Sequence, residues 1–271
     1  MNPAPHRPAA PPADRRASWR QTASRWWRPA TIVAVATAIT LGVVHRRPVR
    51  ERLPDFTAIT DTSERKAAFF NYLAPLARQV NAEQTNTRKR LLAIDETLAN
   101  RETPALPRRD FVRTTAARHG VGPADEIDRV LLARLLSRVD TVPPSLILAQ
   151  AAIESGWGTS RFARQGNSLF GLRCYQPGCG IVPARRPPGA RFEVAAYPDP
   201  TASVRAYVHN LNTHPRYRAL RRVRAELRAG GQPVTGPALA GGLARYSELG
   251  SDYVGLVRTL IAENDLVRFD E

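Results

Sequence analysis

Residues 143–171 read PPSLILAQAAIESGWGTSRFARQGNSLFG, and this stretch decides the fold. Its first half, residues 145–155, is apolar on nearly every face when it is drawn as a helix. A helix that is hydrophobic all round is buried in the middle of a domain. Prolines precede the segment and a glycine-rich turn follows it, as is typical of helix boundaries. The sequence therefore predicts a central buried helix that carries Glu154 near its C-terminal end.

The segments on both sides of this helix have helical periodicity as well. A first helix is predicted from residue 61 to residue 100, and Pro75 should kink or divide it because proline has no backbone N–H. Apolar residues at helical spacing predict further helices at 110–119, 125–139, 202–211, 216–229, 238–246 and 251–264.

Residues 170–197 interrupt the helical pattern. Gly, Pro and Arg are frequent there, and the alternation at 191–194 favours a small β-hairpin or lobe. From residue 60 to the end we expect a fold that is mainly α (α+β), with a small β-hairpin lobe. We divide this part into a helical N-terminal region, 61–140, and a C-terminal region, 141–271.

The composition is that of a globular protein with a strong positive charge. The 271 residues are 43% hydrophobic, include only 2 Cys and carry a formal net charge of +16. These values exclude disordered, collagen-like and disulfide-scaffold classes. Because 38 of the 40 basic residues are arginine, the charge reflects genome composition more than selection for a ligand. A nucleic-acid binder is supported by charge alone, without a basic motif that has interleaved aromatic residues, and we expect no nucleic-acid partner.

Half of the net charge lies in a leader that does not look folded. Residues 1–28 are rich in Pro, Ala and Arg and predict a basic disordered segment. Residues 29–44 are uncharged, follow two tryptophans and predict an uncleaved signal anchor, with a cleaved signal peptide as the alternative. An Arg-rich linker, 45–60, follows. We expect a single pass through the inner membrane with the folded part in the periplasm, or secretion to the periplasm after cleavage.

Glu154 is the one carboxylate that looks misplaced. It ends an apolar helix, and no other Asp or Glu occurs from residue 143 to residue 192. Desolvation should raise its pKa and keep the carboxyl protonated near neutrality, as a general acid in glycoside cleavage requires. Gln150 lies one turn earlier on the same helical face. The alternative is a helix-terminal Glu that bonds the local backbone.

Other candidate sites are weaker. Cys174 and Cys179 lack two further zinc ligands nearby, so outside the cytoplasm a disulfide is the preferred interpretation. His209 and His214 are five residues apart, which is off the spacing of a helical metal pair. We expect no metal and no cofactor. The five arginines of 216–224 predict a solvated helix face that could meet an anionic polymer.

The stretch 142–180, VPPSLILAQAAIESGWGTSRFARQGNSLFGLRCYQPGCG, resembles the glucosaminidase domain of glycoside hydrolase family 73, and most closely that of the Bax-type proteins of Gram-negative bacteria. The resemblance extends to SERKAAFFNYLAPL, SVRAYVHNLNTHPRYRALR and ARYSELGSDYVGLVRTLI, and so covers residues 60–265. It implies a lysozyme-like fold and cleavage of β-1,4 bonds after N-acetylglucosamine in peptidoglycan glycan strands, with 141–271 as the catalytic region.

The family pattern assigns roles to particular residues. Glu154 falls on the catalytic acid in A-x-x-E-S-x-W-G, and Asn167 and Phe170 fall on the N-x-x-F-G turn at the cleft. Tyr246 falls on the tyrosine that lines the site near the C-terminal helix. Trp157, beside the acid, contacts sugar or packs the helix, and we favour packing. The predicted substrate contacts are Gln150, Trp157, Asn167 and Phe170, and the predicted catalytic residues are Glu154, Tyr246 and Glu193.

The sequence departs from the family in one respect. Members often carry a second carboxylate early in the β lobe, whereas here Glu193, late in the lobe, is its only acid. Water activation could fall to Glu193, to Tyr246 or to the N-acetyl group of the substrate. A muramidase or lytic transglycosylase needs only one acid and fits this departure. A non-catalytic wall-binding module is the third alternative.

Overall fold

The computed structural model describes residues 51–122, 125–246 and 250–270. The predicted leader, 1–28, and the predicted signal anchor, 29–44, lie outside these residues. Within the described ranges, no helix is long and apolar enough to cross a membrane.

The first helix is a single long element. Helix α1, Thr62–Ala99, begins at Asp61, whose carboxylate accepts a hydrogen bond from the Glu64 amide at 2.8 Å. Pro75 lies inside α1 and does not divide it, because the helix packs against the rest of the protein on both sides of the proline.

The predicted helices are present with shifted boundaries. They are α2 (Leu106–Arg118), α3 (Arg129–Arg138), α4 (Pro144–Ser155), α6 (Pro200–Thr213), α7 (Arg218–Ala229), α8 (Gly236–Ala240) and α9 (Ser251–Glu263). The short helix α5 (Arg161–Gly166) was not predicted. The helix predicted for 238–246 is replaced by α8 and a 3-10 turn, Gly241–Leu243. Gly242 lies against the Leu220 backbone there, since a Cβ at this position would be 2.3 Å from the Leu220 Cα.

The β lobe is a three-stranded antiparallel sheet. Its strands are β1 (Arg173–Cys174), β2 (Gly180–Ile181) and β3 (Glu193–Ala195). Strand β3 is central and pairs with both others, with Cys174 opposite Glu193 and Ile181 opposite Val194. The expected fold class, mainly helical with a small β lobe, is confirmed.

In the described residues, buried apolar side chains form two cores. The larger core surrounds α4, whose residues from Pro144 to Ala152 are all buried. The second core joins the C-terminal half of α1 to α2 and α3 through Leu91, Val112 and Leu132. Helix α1 therefore connects the two cores, and α4 is held rigidly inside the first.

Residues 51–60, predicted as part of a linker, pack on the larger core. Leu53 and Phe56 are buried among the core residues. The Asn167 side chain accepts a hydrogen bond from the Leu53 amide at 3.0 Å and donates to the Glu51 carbonyl at 3.2 Å. Leu53 and Phe56 dock this segment on the core, so the part of the predicted linker that the structure describes belongs to the folded body.

Replacement of Phe56 by leucine tests this docking. The Phe56 ring makes edge contacts with Phe69 and Tyr72, at 5.4 and 6.1 Å between ring centroids. Loss of the aromatic contacts, with volume nearly conserved, should lower the free energy of unfolding by about 1–2 kcal/mol. Denaturant unfolding measures the change. Exposed Thr60→Ala is the control, and equal stability of the two variants would contradict the docking.

The arginines of 216–224 are not all on a solvated face, and this part of the prediction is wrong. Arg221 and Arg224 are buried, with 7% and 1% of their surface exposed. Arg221 donates to the carbonyls of Leu211 and His214 at the end of α6. Arg224 donates to the carbonyls of Ser137 and Thr141 at the end of α3. Helix C-termini leave carbonyls without helical partners, and these buried guanidinium groups satisfy them.

Candidate active site

Glu154 lies in the last turn of the buried helix α4. The helix ends at Gly156, which has a left-handed backbone conformation with φ of 57°. Glu154 is half-buried, whereas the preceding residues of α4 are almost all fully buried. The sequence places an acid at the point where a rigid, apolar helix reaches the protein surface.

Tyr253 of α9 binds the Glu154 carboxylate. Its hydroxyl donates a 2.7 Å hydrogen bond to Glu154 Oε1. The same hydroxyl accepts a hydrogen bond from Gln150 Nε2 at 2.9 Å, and Gln150 Oε1 accepts one from the Tyr207 hydroxyl of α6. This chain of donors runs from Tyr207 to Glu154, so each proton is directed toward the acid. The chain fixes one carboxylate oxygen from inside the protein.

The electrostatics favour a protonated acid. Burial raises the pKa of the Glu154 carboxyl, and the hydrogen bond from Tyr253 offsets part of this effect by stabilising the carboxylate. Burial and the nearby Glu154 charge raise the pKa of Tyr253, which keeps its hydroxyl protonated as a donor. The direction predicted for the pKa of Glu154 from sequence agrees with the structure, and desolvation is its physical cause.

Tyr246 lies beside Tyr253 as a second aromatic wall. The two rings are stacked, with centroids 5.3 Å apart and planes within 10°. The half-buried Tyr246 donates its hydroxyl hydrogen to the Phe170 carbonyl at 3.2 Å. Burial, followed by the charge of Glu154, raises the pKa of Tyr246 well above its usual value. Tyr246 is therefore near the acid and neutral, as a protonated donor.

Asn167 and Phe170 lie in the turn next to this wall, but their side chains are buried. Asn167 adopts a left-handed conformation with φ of 51° and, besides holding residues 51–53, donates to the Tyr197 carbonyl at 3.1 Å. The Phe170 ring stacks on Tyr207 with centroids 4.0 Å apart. Both side chains thus stabilise the turn. Phe170 contacts Tyr246 through its main-chain carbonyl, which accepts the tyrosine hydrogen bond.

Gln150 and Trp157, also predicted to contact substrate, are engaged within the protein. Gln150 has no exposed surface and its amide bonds two tyrosines, so it positions the Glu154 carboxylate. Trp157 packs edge-on against Phe69 and Phe70 with centroids 6.1 and 5.3 Å away, and the Lys66 ammonium lies 5.1 Å from its ring. The favoured packing interpretation of Trp157 agrees with these contacts.

Glu193 holds the loop between β1 and β2. Its two carboxylate oxygens accept hydrogen bonds from the amides of Gly178 and Gly180, at 3.1 and 2.8 Å. These backbone hydrogen bonds lower its pKa, so Glu193 is ionised but already engaged. Cys174 and Cys179 form a disulfide across the same loop. Their sulfur atoms lie within 4.8 Å of the Glu193 carboxylate, but sulfur atoms in a disulfide are not the thiolates that bind a metal.

Tyr253 and Tyr207 are site residues that the sequence reasoning missed. A usable signal was present, because Tyr253, Val257 and Ile261 recur every four residues and mark the buried face of α9. A buried tyrosine hydroxyl needs a hydrogen-bond partner, and a lone buried acid needs a donor. That Tyr253 and Glu154 are each other's partners depends on how α4, α6 and α9 pack together.

Comparisons with known proteins identify a family and similar chains. The glucosaminidase family, described as mannosyl-glycoprotein endo-beta-N-acetylglucosaminidase, matches residues 131–265. The protein bax of Escherichia coli (strain K12) is 34% identical over 212 residues, which are 78% of this chain and 74% of that protein. The catalytic domain of the autolysin Auto from Listeria monocytogenes aligns with a TM-score of 0.38 and 19% identity, over 66% of this chain and 96% of that one.

Proposed function

Since the chain belongs to the family of Bax-type proteins with a glucosaminidase domain, we propose that it is an endo-β-N-acetylglucosaminidase that cleaves the glycan strands of peptidoglycan. The observation that carries the proposal is the environment of Glu154. A half-buried carboxyl with a raised pKa, held by Tyr253 at one oxygen, is what a general acid in glycoside cleavage requires.

The first chemical step uses Glu154 as the proton donor. Its carboxyl gives a proton to the glycosidic oxygen as the bond from that oxygen to the anomeric carbon breaks. The Tyr253 hydrogen bond occupies Oε1, so Oε2 carries the proton toward the leaving group. The half-buried Tyr246 ring, stacked on the buried Tyr253 ring, is the aromatic surface next to the acid that can contact sugar.

Attack on the anomeric carbon is assigned to the substrate's own N-acetyl group. Both oxygens of Glu193 accept backbone hydrogen bonds, and Tyr246 donates its proton to Phe170, so neither group is a free base. The N-acetyl oxygen instead attacks the anomeric carbon as the leaving oxygen departs. Water then opens the resulting oxazolinium ring, and its proton returns to Glu154.

A lytic transglycosylase on the same fold is the second candidate, and the engagement of Glu193 favours it equally because one acid suffices. Mass analysis of muropeptides from purified walls, treated with the chain from residue 50 onward, separates the candidates. New reducing ends on N-acetylglucosamine support the proposal. Reducing muramic acid ends would identify a muramidase, anhydro-muropeptides a transglycosylase, and the absence of release a wall-binding module.

Replacement of Tyr253 by phenylalanine tests the donor chain. The variant loses the hydrogen bond to a charged carboxylate, an interaction worth about 1.5–3 kcal/mol, so activity should fall about 10-fold or more. Because the Tyr253 hydrogen bond lowers the pKa of Glu154, its removal raises that pKa. The alkaline limb of the pH–activity profile, where the acid loses its proton, should therefore move to higher pH.

The control for this variant is Tyr175→Phe, since Tyr175 is 71% exposed in the β lobe. Its activity and pH profile should match those of the wild type. A Tyr253→Phe variant with reduced activity and an unmoved alkaline limb would show that Tyr253 has only a structural role.

We also propose that residues 29–44 anchor the chain in the inner membrane and that the catalytic region is periplasmic. The uncharged run between arginine clusters supports this location. A reporter fused after Glu271 that is active only in the periplasm should be active. An equivalent reporter that is active only in the cytoplasm should be silent, and the reverse pattern would end this proposal.

A further inference from the structure

A second charged site lies where α1, α3 and α7 meet. Asp140, just after α3, accepts two hydrogen bonds from Arg228, at 2.8 Å from Nε and 2.6 Å from Nη2. Arg224 Nε and Arg88 Nη1 lie 3.5 and 3.6 Å from Asp140 Oδ2. Arg221 joins them around the same cavity. We call these five residues and the cavity the arginine pocket.

The cavity is lined by charged side chains and by small or apolar ones. Its volume is about 400 Å³, which lies in the range of small-molecule sites. Apart from the arginines and Asp140, the lining side chains are no larger than leucine: Ala133, Leu136, Ser137, Ala225 and Ala229. The side chains of Arg228 and Arg88 are 38% and 23% exposed, so the cavity can be reached from solvent.

The arginine pocket carries an excess of positive charge. Four arginines and one carboxylate line the cavity. Three of the guanidinium groups lie within 3.6 Å of Asp140, whereas that of Arg221 donates to carbonyls at the end of α6. Backbone carbonyls compensate in part, since Arg88 donates to Leu136 and Val139 and Arg224 donates to Ser137 and Thr141. Burial lowers the pKa of Arg221 and of Arg224 to about 10, so both are still protonated at neutral pH. The charge on the pocket is close to +3 before these carbonyl dipoles are counted.

A purely structural role explains only part of these observations. The carbonyl hydrogen bonds account for the buried atoms of Arg224 and for the end of α3. These hydrogen bonds do not fill the cavity, and the arginines that line it carry more positive charge than Asp140 neutralises. Desolvated positive charge is costly unless it is paired, so an anion that enters the cavity is stabilised there.

We propose that the arginine pocket binds the free carboxylate of a short peptide with small side chains. A guanidinium group matches a planar carboxylate through paired hydrogen bonds, as Arg228 already does with Asp140. The alanine side chains of the lining can pack against methyl groups, but they offer no hydrogen-bond partner to a hydrated phosphate. The further identification of this ligand as a stem peptide of peptidoglycan rests on the proposed function, because stem peptides carry such carboxylates.

Calorimetric titration of the full chain with three probes tests the proposal. The probes are N-acetyl-Ala-Ala with a free carboxylate, its C-terminal amide, and inorganic phosphate, all at one ionic strength. The free acid should bind at least 10-fold more tightly than the amide and than phosphate. Equal binding of acid and amide, no binding of the acid, or tighter binding of phosphate would each overturn the proposal.

Variants locate the binding. Arg228→Gln should weaken binding of the acid at least 10-fold, while Arg222→Gln, on the same helix and 74% exposed, should stay within twofold of the wild type. Unchanged binding in Arg228→Gln would overturn the proposal, and if this variant does not fold, the acid and amide contrast on the wild type decides. Glu154→Gln should bind the acid normally without cleaving walls, so failure of the pocket and failure of the proposed function are distinguishable.

Discussion

Replacement of Glu154 by glutamine should reduce wall cleavage by about 10²–10⁴-fold, the contribution of general acid catalysis. Glutamine keeps the size of the side chain, and its oxygen can still accept the hydrogen bond from Tyr253. It has no proton to give to the leaving oxygen. Release of soluble muropeptides from purified walls measures the loss, and far-UV circular dichroism should show an unchanged fold.

The same variant should be more stable than the wild type at neutral pH. Because the pKa of Glu154 is raised in the folded protein, ionising this carboxyl costs folding free energy. The cost is absent below the pKa of the unfolded chain and complete above the raised folded pKa. The Tm of Glu154→Gln should therefore exceed that of the wild type at pH 7, and the difference should be smaller at pH 4.

Glu193→Gln is the matched control for the catalytic role. If the N-acetyl group attacks the anomeric carbon, this variant should keep activity within about 10-fold of the wild type, well above the loss expected for a general acid. Losses of equal size in the two variants would make Glu193 the base. If Glu154→Gln itself retains more than about a tenth of the activity, the assignment of the acid is wrong.

Replacement of Asp140 by asparagine should cost about 3–5 kcal/mol of stability, as is found when one partner of a buried ion pair is removed. The Asp140 side chain is 4% exposed and that of Arg224 is 1% exposed, so the guanidinium cannot turn to water when its carboxylate is neutralised. Asparagine keeps the shape of the aspartate side chain, so the loss of stability measures the effect of removing its charge. The expected cost is a large part of the 5–15 kcal/mol that typically separates folded from unfolded protein. Denaturant unfolding measures it.

Asp265→Asn provides the comparison for this stability change. Asp265 pairs with Arg268 at the surface, where their side chains are 76% and 54% exposed. Exposed ion pairs contribute about 0–1 kcal/mol, so this variant should unfold almost like the wild type. A similar small loss in Asp140→Asn would mean that the carbonyls at the end of α3 alone neutralise the arginines.

The fold class and the position of the acid could be predicted because their signals are local. An apolar segment with glycine after it predicts a buried helix and its end, whatever the helix packs against. Glu154 stands out since it is the one charge at the end of that segment. The direction of its pKa shift follows from burial, which the same segment already indicates.

The partners of the acid were decided only by the tertiary structure. Tyr253 is 99 residues away from Glu154, and Tyr207 is 57 residues away from Gln150. The sequence of residues 51–60 predicts a linker, but in the structure Leu53 and Phe56 pack in the core. The five arginines of 216–224 look alike in sequence, yet Arg224 is buried and Arg222 is exposed. Periodicity gives the face of a helix on which a residue lies, but a hydrogen bond or an ion pair depends on how two helices pack, and packing joins residues whose separation along the chain carries no signal.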